Sequence, residues 1–216
     1  MLRLYGHTFS SYTWKALIAL YANDTPFTFH QIGEGNADDD AFVAAAGPSG
    51  QFPVLSDGAV TVFEATSIIE HLHLHHRGPQ PLLPDDPALA IRTRMWDRVF
   101  DLHVMNVMQD VVAEKIRHPD NPDLAIRERV EARLGRSYRW IEQWLTDYTR
   151  RDAVTLVECA AAPSLFYADW VHPIPDDCSQ LRAWRAHLLA LPAVARCVDD
   201  ARPYRHYFPL GAPDRD

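Results

Sequence analysis

The first 76 residues change hydrophobic period several times. Leu2 to Tyr5 is a short apolar run closed by Gly6, which predicts a strand. Trp14, Leu17, Ile18 and Tyr21 then recur at i, i+3, i+4 and i+7 and predict a helix with one buried face, which Asn23-Asp24-Thr25-Pro26 ends. Phe27 to Ile32 reads as a second strand, and a β-α-β order favours a parallel pair joined by a right-handed crossover. Asp38-Asp39-Asp40 followed by Ala41 to Ala46 predicts a short, mobile helix closed by Gly47. Val54-Leu55 and Val60 to Phe63 flank Asp57-Gly58, a strong signal for a tight β-hairpin. Pro53 opens the first hairpin strand, where a missing N–H is tolerated, and a specified turn there can hold a cis Phe52–Pro53 bond. Such a bond turns the Phe52 backbone outward, where it can pair with an extended peptide ligand as an edge strand does. A further helix is expected from about Thr66, with Ser67 and Glu70 spaced as a capping box and Ile68, Ile69 and Leu72 facing inward.

After His76 the pattern changes. Pro79, Pro81, Pro84 and Pro87 cannot continue a helix, so residues 79–87 read as a semi-rigid linker between a domain of residues 1–78 and one of residues 88–216. Everything beyond is helical in pattern. Asp86 as N-cap and Pro87 at the first helical position start a helix expected to run to about Arg117, roughly 45 Å long. Ile126, Val130, Leu134, Tyr138, Ile141 and Leu145 predict a second long helix, from Leu124 to about Tyr148, packed antiparallel to the first. Thr155 and Glu158 form a capping box ahead of an apolar run to Trp170. Leu181, Trp184, Leu188 and Leu191 mark another helix, and residues 192–200 a last one.

Composition narrows the function classes. A net charge of −8 argues against nucleic acid or an anionic membrane surface as partner, because those associations rest on basic patches. No apolar run reaches about 18 residues, and the N-terminus has no basic stretch followed by an apolar one, so cytoplasmic residence is the expectation. Cys159, Cys178 and Cys197 are too few and too far apart for a disulfide framework and are expected as reduced, buried thiols.

Ser10 and Ser11 fall between the first strand and the first helix, where free backbone N–H groups and the positive end of the helix dipole favour an anion. On spacing alone a plain helix N-cap is the better reading of either serine. His71, His73, His75 and His76 crowd one helix, and His71 with His75 has the i, i+4 spacing of a metal pair. With no cysteine or carboxylate ladder beside them in sequence, they read as a solvated or interface face, and no metal is expected.

Residues 47–55, Gly-Pro-Ser-Gly-Gln-Phe-Pro-Val-Leu, followed by Asp57-Gly58 and then Glu64-Ala65, resemble the glutathione S-transferase family. That family carries an N-P-x-G-x-V-P-x-L loop, a D-G hairpin and an E-S pair at a helix start. Ala65 stands where the family has serine. Ser10-Ser11-Tyr12-Thr13-Trp14-Lys15 is similar to the serine-type members, closest to the S-S-C-S-W-R pattern of the zeta class, with Tyr12 in place of its cysteine. The resemblance implies a thioredoxin-like α/β domain followed by an all-α bundle, with glutathione as co-substrate and a homodimer as the assembly. It implies further that Ser10, or Ser11, donates to the glutathione sulfur. Gln51 would contact the glycyl end of glutathione, and the Phe52 backbone beside Pro53 the cysteinyl unit. Glu64 would receive the γ-glutamyl amine. Thr66 is better read as the helix N-cap, although its hydroxyl is also the one available to replace the serine missing at Ala65. Met105, Met108, Val112, Tyr167 and Trp170 are candidates for an apolar pocket that takes a small hydrophobic electrophile; core packing explains them equally well. The implied activity is conjugation of glutathione. Isomerisation of the maleylacetoacetate type and a non-catalytic binding role are the alternatives.

Overall fold

The computed structural model describes every residue except Glu34 and residues 149–151. Strands β1 (Leu2–Gly6), β2 (Phe27–Gln31), β3 (Val54–Asp57) and β4 (Val60–Phe63) form one sheet in the order β2-β1-β3-β4. β1 runs parallel to β2 and antiparallel to β3, and β3 pairs antiparallel with β4. Helix α1 (Ser11–Ala22) makes the crossover from β1 to β2, α2 (Ala37–Ala46) lies between β2 and β3, and α3 (Ala65–His75) follows β4. Leu2 and Leu4 are buried on one face of β1 and meet Trp14, Leu17, Ile18, Ile68 and Leu72 in the main core. Tyr5, Val54, Ile32 and Val43 form a second cluster with α2. This is the thioredoxin-like arrangement implied by the resemblance.

The helical half consists of α4 (Pro87–Phe100), α5 (Asn106–Arg117), α6 (Leu124–Leu145), α7 (Leu156–Val171), α8 (Ser179–Ala190) and α9 (Pro192–Ala201). Asp86 caps α4 by accepting from the Leu89 N–H at 2.8 Å. Thr155 and Glu158 complete the capping box of α7. α7 is apolar on nearly all sides and buried from Leu156 to Asp169, as a helix enclosed by others must be. It packs against both α1 and α4, so the main core runs without a break from the sheet into the bundle. None of the described helices is long and apolar enough to cross a membrane.

Two expectations are corrected. The single helix from Asp86 to Arg117 is interrupted by a π-helical turn, Asp101–Met105, which joins α4 to α5. Such single turns insert one residue into the ladder and rotate the side chains that follow, and they recur at functional sites. The helix expected from about Thr66 is present and starts at Ala65, but it lacks the expected capping box. Ser67 is exposed, and Glu70 makes a paired contact with Arg94 of α4 (2.7 and 3.1 Å) rather than closing a capping box.

Candidate active site

The strand register gathers three separated segments at one end of the sheet. Tyr5 pairs with Val54, and Val54 pairs with Phe63. The chain therefore leaves β1 toward Ser10, enters β3 from Phe52-Pro53, and leaves β4 into Glu64 at one edge. The N-termini of α1 and α3 both start there, so two sets of free backbone N–H groups and two positive dipole ends face the same region.

The turn from β1 to α1 is tied down on every side. The Trp14 indole donates to the Thr8 carbonyl (2.7 Å), and the Gln31 side-chain oxygen accepts from both the N–H and the hydroxyl of Thr8 (3.2 and 2.7 Å). The Ser10 N–H donates to the His7 carbonyl (2.9 Å). Tyr167, from α7, donates its hydroxyl to the Phe9 carbonyl (2.8 Å). A Cβ on Gly6 would sit 2.6 Å from the Thr13 hydroxyl, so only glycine lets α1 start this close to the end of β1. Ser10 is the N-cap of α1: its Oγ accepts from the Thr13 N–H at 3.3 Å. Ser11 is buried, whereas Ser10 is half-buried.

Phe52-Pro53 is cis, as its place ahead of β3 suggests. Pro53 is buried, Phe52 packs half-buried against the cluster of Tyr5, Ile32, Val43 and Val54, and Gln51 is exposed beside it. Glu64 is exposed and adopts φ 68°, a left-handed conformation that a residue with a Cβ holds only when its surroundings enforce it. Ala65 follows, buried, as the first residue of α3.

Beneath these residues lies a charged cluster that sequence patterns do not announce. Lys15, inside α1, is 1% exposed, and its ammonium contacts Asp97 (2.7 Å), both Asp101 oxygens (2.8 Å each) and the Thr66 hydroxyl (3.1 Å). Thr66 in turn donates to the second Asp97 oxygen (2.9 Å), and Arg98 bridges Thr66, Asp97 and Asp101 from the solvent side. Burial pushes the Asp101 carboxyl up, with Lys15 opposing. The Thr66 hydroxyl is therefore spent on internal partners. The expectation of Thr66 as the helix N-cap is corrected: Glu64 holds that position and Thr66 lies inside α3. Burial also pushes the Tyr12 phenol up, and its hydroxyl pairs with Asn106 just after the π turn.

The expected electrophile pocket is corrected in part. Met105, Met108 and Tyr167 are at most 3% exposed and belong to the main core, so they offer no surface to a ligand. Val112 and Trp170 are half-buried. Trp170 packs on Phe208 and Tyr167 and lies under Arg205, with Phe9 at 6.3 Å between ring centres. Phe9, adjacent to Ser10, was missed by the sequence reading. Two surface cavities, about 590 Å³ at the α5–α6 turn and about 200 Å³ beside Arg77 to Asp85, are lined by none of the expected site residues.

Residues 4–80, which include every segment at this sheet edge, match the sequence model of the glutathione S-transferase N-terminal domain. This part of the chain is similar to the glutathione S-transferases. A glutathione S-transferase of Silene vulgaris is 26% identical over 89% of this chain and 94% of its own length. A probable maleylacetoacetate isomerase of Vibrio cholerae is 24% identical over 93% and 96%. Among solved structures, a glutathione S-transferase of Methylobacterium radiotolerans in complex with glutathione sulfonate superposes with a TM-score of 0.74 at 25% identity, covering 91% of this chain and 94% of that one. At the site itself, Ala65 opens α3 directly above the Lys15 cluster.

Proposed function

We propose that the protein binds reduced glutathione along the Phe52 edge and adds its thiolate to a small hydrophobic electrophile. The observation that carries this reading is the division of labour at Ser10. Its oxygen already accepts from the Thr13 N–H, and no described residue takes its proton. That proton is free to be donated to a sulfur anion at the positive end of α1. A free thiol with a pKa near about 8.5 is only a few per cent ionised at pH 7, and the thiolate is the nucleophile. A charge-assisted hydrogen bond together with the dipole is sufficient to lower that pKa by about two units, about 2.7 kcal/mol. Ser10 acts as a donor and not as a base. Gln51, Glu64 and the Phe52 backbone would hold the tripeptide, and the half-buried ring of Phe9 offers apolar surface next to Ser10.

Ser10→Gly is the decisive variant, because glycine caps a helix almost as well as serine but has no hydroxyl. The thiolate absorbance of bound glutathione, followed against pH, is expected to titrate higher than in the parent, with a slower conjugation rate at neutral pH. An unmoved titration in Ser10→Gly, with a shift in Ser11→Ala, would assign the donor to Ser11 instead. Unmoved titrations in both would leave the serines as caps and remove the chemistry.

The isomerase reading is favoured by the relative in Vibrio cholerae. Turnover of a cis-ene diketo acid without consumption of glutathione would select it over conjugation. Ala65 favours a non-catalytic binding role, which an unchanged melting temperature and zero turnover in millimolar glutathione would separate further from any glutathione-dependent activity. For assembly we propose a homodimer. Val60, Phe63, Leu74, Leu89, Ile91 and Met95 are 39–67% exposed around α3, α4 and β4, more apolar surface than a lone helix pair needs to present. Light scattering is expected to give twice 24.6 kDa.

A further inference from the structure

The histidine-rich end of α3 is brought against a carboxylate from another element. His71 lies within α3, and His76 is the residue that ends it, with φ −135° and ψ 51°. Departing from helical geometry there, His76 turns its ring back beside that of His71. Both reach Asp57, the last residue of β3 ahead of the hairpin turn. His71 Nε2 is 2.9 Å and His76 Nε2 2.7 Å from the same Asp57 Oδ2. The three ligand atoms lie within 4.8 Å of one another. The side chains are 12%, 30% and 24% exposed for His71, His76 and Asp57, so the cluster is sheltered but open to solvent on one side.

We propose that Asp57, His71 and His76 bind a divalent late first-row cation, with Zn²⁺ as the occupant, and so fasten the β3–β4 hairpin to the end of α3. Two imidazole nitrogens and one carboxylate oxygen are a donor set that suits zinc and its neighbours, whereas Mg²⁺ and Ca²⁺ take oxygen ligands. Bonds of about 2.0–2.1 Å at tetrahedral angles put neighbouring ligand atoms about 3.3 Å apart. The two contacts with Asp57 need to open by about half an ångström, and the two Nε2 atoms, now within 4.8 Å of each other, to settle at the same spacing, by side-chain rotation. The solvent side leaves the fourth position to water. In the metal-free protein each Nε2–H is donated to Asp57, and on binding each imidazole carries its proton on Nδ1 instead. Sequence spacing favours His71 with His75, but His75 is exposed and its ring lies tilted against that of His71 at 4.5 Å between ring centres. The site stands apart from the Ser10 edge and does not depend on the glutathione reading.

The test is calorimetric titration of the untagged full-length chain with ZnCl₂, together with Co²⁺ binding followed by visible absorption. One equivalent is expected to bind, with affinity reduced at least tenfold in His76→Gln and in Asp57→Asn, and with tetrahedral Co²⁺ bands lost in both. Zn²⁺ should also protect His71 and His76, among the 11 histidines, from diethyl pyrocarbonate in the unaltered protein, a readout that needs no variant to fold. The proposal is overturned by the absence of saturable one-equivalent binding, by an affinity in both variants unchanged from the parent, or by protection that falls on other histidines.

Discussion

Lys15 Nζ and Asp97 Oδ1 meet at 2.7 Å with their side chains 2% and 0% exposed, joining the first helix of the α/β half to the first helix of the bundle. Breaking a buried ion pair leaves an uncompensated charge and typically costs about 3–5 kcal/mol. Lys15→Met strands two carboxylates, Asp97 and Asp101, with only the half-exposed Arg98 to offset them. Its loss in urea unfolding at pH 7 is expected to be about 3–5 kcal/mol. Asp101→Asn removes a charge that burial already disfavours, as the raised Asp101 pKa states, and should cost clearly less. Equal losses in the two variants would contradict this division.

Gly6 sets how close α1 comes to β1. Gly6→Ala would place a methyl 2.6 Å from the Thr13 hydroxyl and 2.7 Å from its methyl, so Thr13 must move. Thr13 also supplies the N–H that Ser10 caps. Overpacking of this kind typically costs about 1–3 kcal/mol. The expected outcome is a lowered melting temperature together with a slower conjugation rate. A variant as stable as the parent would show that the turn can shift at no cost.

The parts of the site that were legible in the sequence are those fixed by local chemistry. Pro53 ahead of an apolar pair, Asp57-Gly58 between two strands, and serines between a strand and an amphipathic helix each constrain the backbone over a few residues. The cluster under the site was hidden because Thr66, Asp97 and Asp101 lie 51, 82 and 86 residues from Lys15 in the chain. A lysine within an apolar helix reads as a solvated charge unless its partners are known. The π turn was hidden for a related reason: residues 88–117 hold no glycine or proline to mark a break, and one inserted residue leaves no mark in composition. Met105 and Met108 show the limit of periodicity, which tells a buried face from an exposed one but not a core from a pocket. Asp57 was accounted for by its turn, so its contacts with His71 and His76 went unread.

The three thiols should be silent in the folded protein. Burial pushes the Cys159, Cys178 and Cys197 thiols up, and Cys159 and Cys197 are 0% exposed. Because the thiolate is the reacting form, a raised pKa lowers its population at any pH below that pKa. Native protein at pH 8 is expected to give no fast reaction with a disulfide reagent, and denatured protein three equivalents. A fast equivalent in the native state would place one of these sulfurs in contact with solvent.

Ala65 stands where the glutathione S-transferase pattern has serine, and the hydroxyl of its neighbour Thr66 is already engaged. Thr66, one residue on, gives its proton to Asp97 at 2.9 Å and accepts from Lys15. A serine hydroxyl at position 65 would stand at the first residue of α3, next to free backbone N–H groups, where a carboxylate is already favoured. A hydrogen bond to a charged group is worth about 1.5–3 kcal/mol, and each 1.4 kcal/mol is about tenfold in affinity. Ala65→Ser is therefore expected to tighten glutathione binding by about one to two orders of magnitude in calorimetry. Ala65 is only 5% exposed, so the added oxygen must fit a confined space, and the melting temperature without ligand reports separately whether it does. Tighter binding with an unchanged unliganded melting temperature assigns the gain to the ligand. Unchanged affinity with unchanged stability would mean that the γ-glutamyl carboxylate is held by backbone N–H groups alone.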